Sequence, residues 1–175
     1  MDTNRQWNEI SRVRTEVFTV EHKVKFNPLP GPGEKGVWHF LVREAEQAIA
    51  TVSVVDTTAD RELIQRYLLP FGDTDRAARY AQLAILRPYR GQAISRILIE
   101  TAEAVAIRPN KFEFEWLLFP AAHARTSVLT RCLGFTAEAR CLQSEFGPCH
   151  VLVRHCPMWM NLLDDSLPVI DTCPI

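Results

Sequence analysis

The chain has 175 residues, of which 47% are hydrophobic and 23% charged, and its formal net charge is -1. This length suits one domain spanning residues 1–175. The nearly neutral charge argues against a generic nucleic-acid-binding protein, which would carry a basic excess. No stretch of about 18 apolar residues occurs in the sequence, so we expect no membrane span.

The polar start of the chain, MDTNRQWNEISRVRTEV, lacks the apolar core of a secretory signal. We therefore expect a cytoplasmic protein with reduced cysteines, and the odd number of cysteines favours free thiols over disulfides. These cysteines are Cys132, Cys141, Cys149, Cys156 and Cys173.

The first half of the chain predicts a helix, a loop, a hairpin and a second helix. Apolar residues recur at helical spacing and predict an amphipathic helix over 4–18. Three prolines and three glycines make 26–36 a loop. Two β-rich runs, 37–44 and 48–55, predict a hairpin. Residues 60–69 predict a short helix.

The middle of the chain predicts a β-α-β unit. The apolar run 80–88 reads as a buried central strand, and residues 92–107 follow as a helix. Residues 111–119 alternate as a second strand. The helix is expected to bury Ile94, Ile97, Leu98, Thr101 and Val105. The second strand is expected to place Phe112, Phe114, Trp116 and Leu118 on one face and Glu113 and Glu115 on the other.

A helix over 122–132 follows, and Gly134 is expected to end it in a left-handed conformation. Strands are predicted at 135–143 and 149–155. Antiparallel hairpins thus flank the central β-α-β unit. This order predicts an α/β fold of three layers, α/β/α, around a mixed and mostly antiparallel sheet.

A basic loop joins the central strand to the helix in the stretch ILRPYRGQAISRILIE, residues 85–100. Backbone N–H groups from about Arg90 to Ser95 would point out of the helix N-terminus, and Arg87 and Arg90 would add positive charge. Such a site suits a pyrophosphate, and Gly91 would permit close approach. The alternative is a plain strand–turn–helix corner with solvated arginines.

The segment LAILRPYRGQAISRILIETAEAVA resembles the acyl-CoA-binding segment of the GNAT acyltransferase superfamily, and LTRCLGF at 129–135 resembles its later helix. The resemblance implies an N-acyltransferase in which an amine attacks a bound acyl-CoA thioester directly. It implies that the Leu86 amide and the 90–95 loop hold the phosphopantetheine arm and the pyrophosphate. The donor-binding residues that it implies are Leu83, Ala84, Ile85, Leu86, Arg90, Gly91, Gln92, Ala93, Ile94 and Ser95.

The sequence departs from the superfamily pattern at three positions. Ala93 and Ser95 replace glycines of the loop, and both are expected to fit the first turn of a helix. Thr130 stands where many members carry a tyrosine that protonates the departing thiolate, and it is a poorer acid. These departures leave open a GNAT-fold module that binds a ligand or a partner without catalysis.

A narrower resemblance covers VRTEVFTVEHKV, residues 13–24. It is similar to the branch that holds the acyl-homoserine-lactone synthases and the long-chain N-acyl amino acid synthases, where a histidine recurs at the position of His39. This branch implies a longer acyl chain, delivered on acyl carrier protein rather than on coenzyme A. Arg14 would then be an acyl or acceptor clamp, or one half of a salt bridge.

Amine acylation needs a base, a donor to the carbonyl oxygen and an acid for the thiolate. A bulged N–H near Leu86 would bind the carbonyl oxygen, and Thr130 holds the position of the acid. The candidate bases are Glu21, His22, His39, Glu113 and Glu115. His39, between Trp38 and Phe40, also fits a hydrogen-bonded structural histidine.

The stretch CHVLVRHC, residues 149–156, combines cysteines and histidines and raises the question of a metal site. A strand would divide its cysteines and histidines between two faces, so we expect no metal. A cysteine that carries the acyl group is the alternative role for these thiols. The apolar segment 157–163 would pack over the sheet, line an acyl tunnel or form a dimer contact, so the protein is expected to be a monomer or a homodimer.

Overall fold

The computed structural model of the protein describes residues 3–24, 33–120, 133–144 and 147–156. The elements are α1 (Thr3–Arg14), β1 (Val37–Glu44), β2 (Gln47–Asp56), α2 (Arg61–Arg66), β3 (Ala77–Ile85), α3 (Ile94–Ala102), β4 (Phe114–Pro120), β5 (Thr136–Ser144) and β6 (Gly147–His155). A π-helical segment, Thr15–Glu21, continues α1, and a second, Glu103–Ile107, continues α3.

The six strands form one mixed sheet in the order β1-β2-β3-β4-β6-β5. β3 and β4 are parallel, and the other neighbours are antiparallel. The helix α3 joins the parallel pair, which confirms the predicted β-α-β unit. The predicted mixed, mostly antiparallel sheet is also confirmed.

Helices cover both faces of the sheet because the strands bury side chains on both sides. α3 packs Leu98 and Ile99 against one face, together with Val52 of β2. On the other face, Val13 of α1 packs in a cluster with the β3 end, and Ile64 of α2 packs in a cluster with Trp116 of β4. These contacts give the three layers that the element order predicted.

The N-terminal helix is amphipathic, as predicted, with Ile10, Val13 and Val17 buried. The helix does not stop at residue 18, because the π-helical segment carries it on to Glu21. The predicted hairpin, short helix and final pair of strands are confirmed within a few residues at each end.

The prediction for α3 was wrong in two details. The helix begins at Ile94 rather than at residue 92, because Ala93 adopts a left-handed conformation with φ of 58°. Ile97 is 49% exposed, although it was expected on the buried face. The buried side chains of α3 are instead Ile94, Leu98, Ile99 and Ala102.

The prediction for β4 was also wrong in part. The strand begins at Phe114, so Phe112 precedes it and packs in the cluster on the α3 face. Phe114, Trp116 and Leu118 share the opposite cluster, as expected. The face of Glu115 is not polar, because that carboxylate is 1% exposed and Leu117 on the same side is buried in the core.

Several predictions lie outside the described residues: the helix at 122–132 with Thr130 and Cys132, most of the loop at 26–36, and the segment 157–163. Gly134, which was predicted to end that helix, has the left-handed φ of 71°. Among the described helices, none has the length and apolar character required to cross a bilayer.

Candidate active site

The two parallel strands separate from each other halfway along the sheet. The ladder between β3 and β4 runs from Ala77↔Phe114 to Tyr80↔Leu117. Beyond this rung β3 continues to Ile85 and β4 to Pro120. The gap between residues 81–85 and 118–120 is a wedge that opens towards the start of α3.

A β-bulge accounts for the change in direction of β3. Thr51 pairs with Ala84 and Ser53 with Ala81, so two residues of β3 lie opposite Val52 alone. One of these two, Gln82, has φ of 53°. A bulge bends its strand and increases the local twist, which turns β3 away from β4 where the wedge begins.

The amide of Leu86 does not face the wedge. It donates to the carbonyl oxygen of Ile49 at 3.0 Å, so the expectation that the Leu86 amide holds the phosphopantetheine arm is wrong. Because successive amides of a strand point to opposite sides, the neighbouring N–H of Ile85 points to the wedge. Leu83 and Ile85 pack on the α3 side, whereas Ala84 and Leu86 pack under α1.

A row of free backbone donors follows at loop 87–93 and the start of α3. Residues Arg87–Tyr89 form a 3-10 turn, and the Arg90 amide donates weakly to Arg87 at 3.3 Å. Within the described part of the chain, no backbone carbonyl accepts from the amides of 91–95. Gln92 closes the loop through its side-chain amide to the Pro88 carbonyl at 3.3 Å. Unpaired donors at a positive helix end favour an anion in general, so we call this arrangement the anion site.

Two of the three arginines near this site are already paired with carboxylates. Arg90 binds Glu21 through both guanidinium nitrogens, at 2.5 and 2.7 Å. Arg96 binds Glu100 at 2.6 Å on the surface of α3. Hydrogen bonding to Arg90 holds the pKa of Glu21 below its ordinary value, with further lowering by the charges of Arg90, His22 and Arg87. While paired in this way, Glu21 is a weak base, contrary to its expected role.

The sequence matches no protein-family model and no curated protein. Solved structures with the same fold include FeeM, an N-acyl amino acid synthase from uncultured soil microbes. It superimposes with a TM-score of 0.68 at 15% identity, over 89% of this chain and 93% of that chain. An acyl-CoA N-acyltransferase from Pseudomonas aeruginosa superimposes with a TM-score of 0.65 at 20% identity, over 87% of this chain and 92% of that chain. The CoA-dependent acyl-homoserine lactone synthase BjaI superimposes with a TM-score of 0.64 at 10% identity, over 90% of this chain and 79% of that chain.

The chain has the GNAT acyltransferase fold. The three structures include both kinds of synthase that the N-terminal motif resembles. In this GNAT fold the wedge and loop 87–93 coincide with the segment whose sequence carried the resemblance, so the motif and the architecture agree.

The two glycine positions of the GNAT loop behave differently here. Ser95 lies in the first turn of α3, as expected. Ala93 does not, because its φ of 58° and ψ of 10° are left-handed. The backbone therefore keeps a conformation that favours glycine even though the residue is alanine, and the side chain imposes a cost on the order of 1 kcal/mol.

We expect A93G to raise the free energy of unfolding by about 0.5–1 kcal/mol, because glycine adopts this conformation without steric cost. The matched control is A102G, where Ala102 is helical with φ of -63°. That variant should lose more than about 1 kcal/mol, since glycine is a poor helix former and the buried methyl group of Ala102 is also removed. Urea unfolding of the three proteins measures both changes, and a loss of stability in A93G would contradict the argument.

His39 lies in a buried polar cluster under α1, next to the bulge. Its Nδ1 is 2.6 Å from the hydroxyl of Ser53, and its ring is 5.0 Å from that of Trp7. Ser53 pairs with Ala81, directly before the bulge. His39 is 2% exposed, so its geometry agrees with the structural alternative rather than with a base that meets an amine.

Arg14 completes this cluster and is also buried, at 2% exposure. Its Nη2 donates to the Ser53 hydroxyl at 2.5 Å, and its guanidinium lies 5.8 Å from the centre of the Trp7 ring. Burial lowers the pKa of Arg14 to about 10. In the described ranges no carboxylate forms a salt bridge with Arg14, so of its two predicted roles the salt bridge is not observed there.

Glu115 belongs to a separate buried cluster and not to the wedge. Arg154 binds both Glu115 and Glu103 through Nη2, and its Nη1 donates to the Leu133 carbonyl at 2.6 Å. Burial raises the pKa of Glu115 despite the opposing charge of Arg154. Because Glu115 pairs with Ala78, it lies about four residues, or roughly 13 Å, from the bulge. This position removes Glu115 from the candidate bases.

Cys156 adjoins the same cluster, and its thiol forms a hydrogen bond with the Glu115 carboxylate. Burial and this carboxylate raise the pKa of Cys156 well above the ordinary value. A thiol must ionise to act as a nucleophile, so Cys156 is a poor acyl carrier. Neither Cys149 nor Cys156 forms a disulfide with another described residue. Over the described ranges no three histidine, cysteine or acidic residues gather as metal ligands would.

Sequence reasoning missed the partners of these groups. Glu103 and Arg154 are each the one charged residue in an apolar stretch, EAVAI and VLVRH. A lone charge in such a stretch is buried only when it is paired, and this signal would have linked them to Glu115. Nothing in the sequence marked Ser53 as the partner of Arg14.

Proposed function

We propose that the protein is an N-acyltransferase that moves an acyl group from acyl-CoA to an amine. The observation that carries the proposal is the wedge between β3 and β4, which opens onto the free amides of residues 91–95. A thioester arm would lie in the wedge while its diphosphate accepts from these amides. Neighbours support this donor, since one is an acyl-CoA N-acyltransferase and another was solved with isopentyl-CoA.

The chemistry follows from this placement. The Ile85 amide, which points to the wedge, would donate to the carbonyl oxygen and stabilise its negative charge during attack. The amine nitrogen forms the new C–N bond, the C–S bond breaks, and the amine proton leaves as the thiolate gains one. Direct transfer needs no covalent enzyme intermediate, which agrees with the poor reactivity of Cys156.

A second candidate is a long-chain N-acyl synthase that takes its donor from acyl carrier protein. The observation that favours it is the pairing of Arg90 and Arg96 with carboxylates, which leaves Arg87 as the arginine of the loop without an ion pair in the described part of the chain. A carrier protein presents one phosphodiester, whereas coenzyme A presents a diphosphate and a further phosphate. A loop with little unpaired positive charge suits the single phosphodiester of the carrier protein better than the three phosphates of coenzyme A.

Thermal unfolding with bound donor tests the proposal. Coenzyme A, acetyl-CoA, longer acyl-CoAs and acylated carrier protein are added separately. A donor at a hundred times its Kd stabilises by about 2.7 kcal/mol, or roughly 5–10 °C for a chain of this size. Release of free thiol with a panel of amines then measures turnover.

The outcomes separate the alternatives. Stabilisation by acyl-CoA with turnover supports the acyltransferase, and stabilisation by carrier protein alone supports the second candidate. Binding without turnover on any amine supports a module that binds without catalysis. If no donor shifts the unfolding temperature, the proposed function is wrong.

A further inference from the structure

The strongest unexplained contact is the ion pair between Glu21 and Arg90. Both guanidinium Nη atoms bind the carboxylate, and the Arg90 Nε donates to the Ile85 carbonyl at 2.9 Å. The pair joins residues 69 positions apart. It connects the last residue of the π-helical segment to the loop that carries the free amides.

The carboxylate of Glu21 lies in the positive field of the anion site. Hydrogen bonding to Arg90 and the charge of Arg87 both favour its ionised form. The Glu21 carboxylate therefore resembles a phosphate in one respect: it presents two negatively charged oxygens to the guanidinium of Arg90. The protein itself thus supplies an anion that binds Arg90.

The end of the π-helical segment lies at the edge of its core contacts rather than among them. Val17, one turn earlier, is 4% exposed and packs with Ala84 and Leu86. Glu21 and Arg90 have side chains that are 28% and 29% exposed, at the rim of these contacts. Breaking the ion pair would expose two polar groups and leave the apolar anchor in place.

We propose that Glu21 competes with a phosphate of the donor for Arg90, so that donor binding releases the end of the π-helical segment from loop 87–93. This inference rests on the proposed function, because it takes a phosphate-bearing thioester as the ligand of the loop. Release of Glu21 frees its carboxylate beside the wedge only after the donor is bound.

The test compares the affinity of coenzyme A for wild-type protein and for E21Q by titration calorimetry. Removing a partly exposed competitor should tighten binding about three- to tenfold, because more of the free protein then has Arg90 available. The matched control is E100Q, which removes the carboxylate partner of Arg96 on α3 by the same change of charge. Its affinity should stay within about twofold of wild type.

A second background isolates the contact itself. In R90Q protein the competitor has lost its site, so adding E21Q should leave the affinity of coenzyme A unchanged within about twofold. Equal tightening in E21Q and E100Q would indicate a general charge effect and overturn the proposal. Weaker binding in E21Q would show that Glu21 positions Arg90 for the donor and would overturn it as well.

Failure of the proposed function gives a different result. Wild-type protein would then bind neither coenzyme A nor acyl-CoA although its circular dichroism shows a folded chain. If only the competition fails, wild-type protein binds coenzyme A, but E21Q does not bind it more tightly than E100Q does.

Discussion

R154M should lower the free energy of unfolding by about 3–5 kcal/mol at neutral pH. The substitution keeps the length of the side chain but removes the cation that holds Glu103 and Glu115. Both carboxylates are less than 10% exposed, with Glu103 at 7% and Glu115 at 1%. Two buried negative charges without a cation repel each other and lack solvation, so the folded state becomes unfavourable. Urea unfolding measures the loss.

The loss in R154M should shrink as the pH falls. Burial already raises the pKa of Glu115, and without Arg154 that pKa rises further. The pKa of glutamate in the unfolded chain is about 4.3. When the pKa in the folded state is higher, the group stabilises the folded protein fully at pH values below the unfolded pKa. This stabilisation is lost as the pH rises through the folded pKa. The deficit at pH 5 should therefore be smaller than at pH 7.5. A deficit independent of pH would contradict this explanation.

R43M provides the control for the R154M experiment. Arg43 pairs with Glu9 at 2.5 Å, but the two side chains are 32% and 16% exposed. Water solvates this pair, so its removal should cost less than about 1 kcal/mol and show no comparable recovery at low pH.

The fold was predictable because its signals are local. The β-rich runs 37–44 and 48–55, and the strand–helix–strand pattern around α3, are each recognised from neighbouring residues. Element order then left few arrangements, since a parallel pair joined by a helix must place that helix across one face. The burial of Glu115 escaped this reasoning, because a face becomes apolar or charged only through the elements that cover it.

The site was predictable as a segment but not as a geometry. The residues that form the anion site follow from glycine and arginine next to a helix start. The bulge at Gln82 and the left-handed Ala93 could not be read, because neither residue favours positive φ on its own. The pairing of Glu21 with Arg90 depends on chain folding across many residues. The sequence suggested separate roles for these two residues, Glu21 as a base and Arg90 as a phosphate ligand. In the structure they form one ion pair.

G91A should reduce the affinity for acyl-CoA at least tenfold, a change of about 1.4 kcal/mol in binding free energy. Gly91 has φ of 86°, and an added Cβ would meet no atom within 4 Å. The methyl group thus enters the open space in front of the free amides, where the donor phosphate would approach. Left-handed alanine should also cost roughly 1 kcal/mol of folding stability.

The control must carry the same backbone strain away from the loop. Gly147, at the start of β6, has φ of 88° and equally open surroundings. G147A should therefore lose about as much stability as G91A, roughly 1 kcal/mol, but keep the affinity of wild type. Calorimetric titration with acyl-CoA separates the two effects. Equal affinity in G91A and G147A would show that the donor does not approach the backbone at Gly91, and the anion site would then lack its proposed ligand.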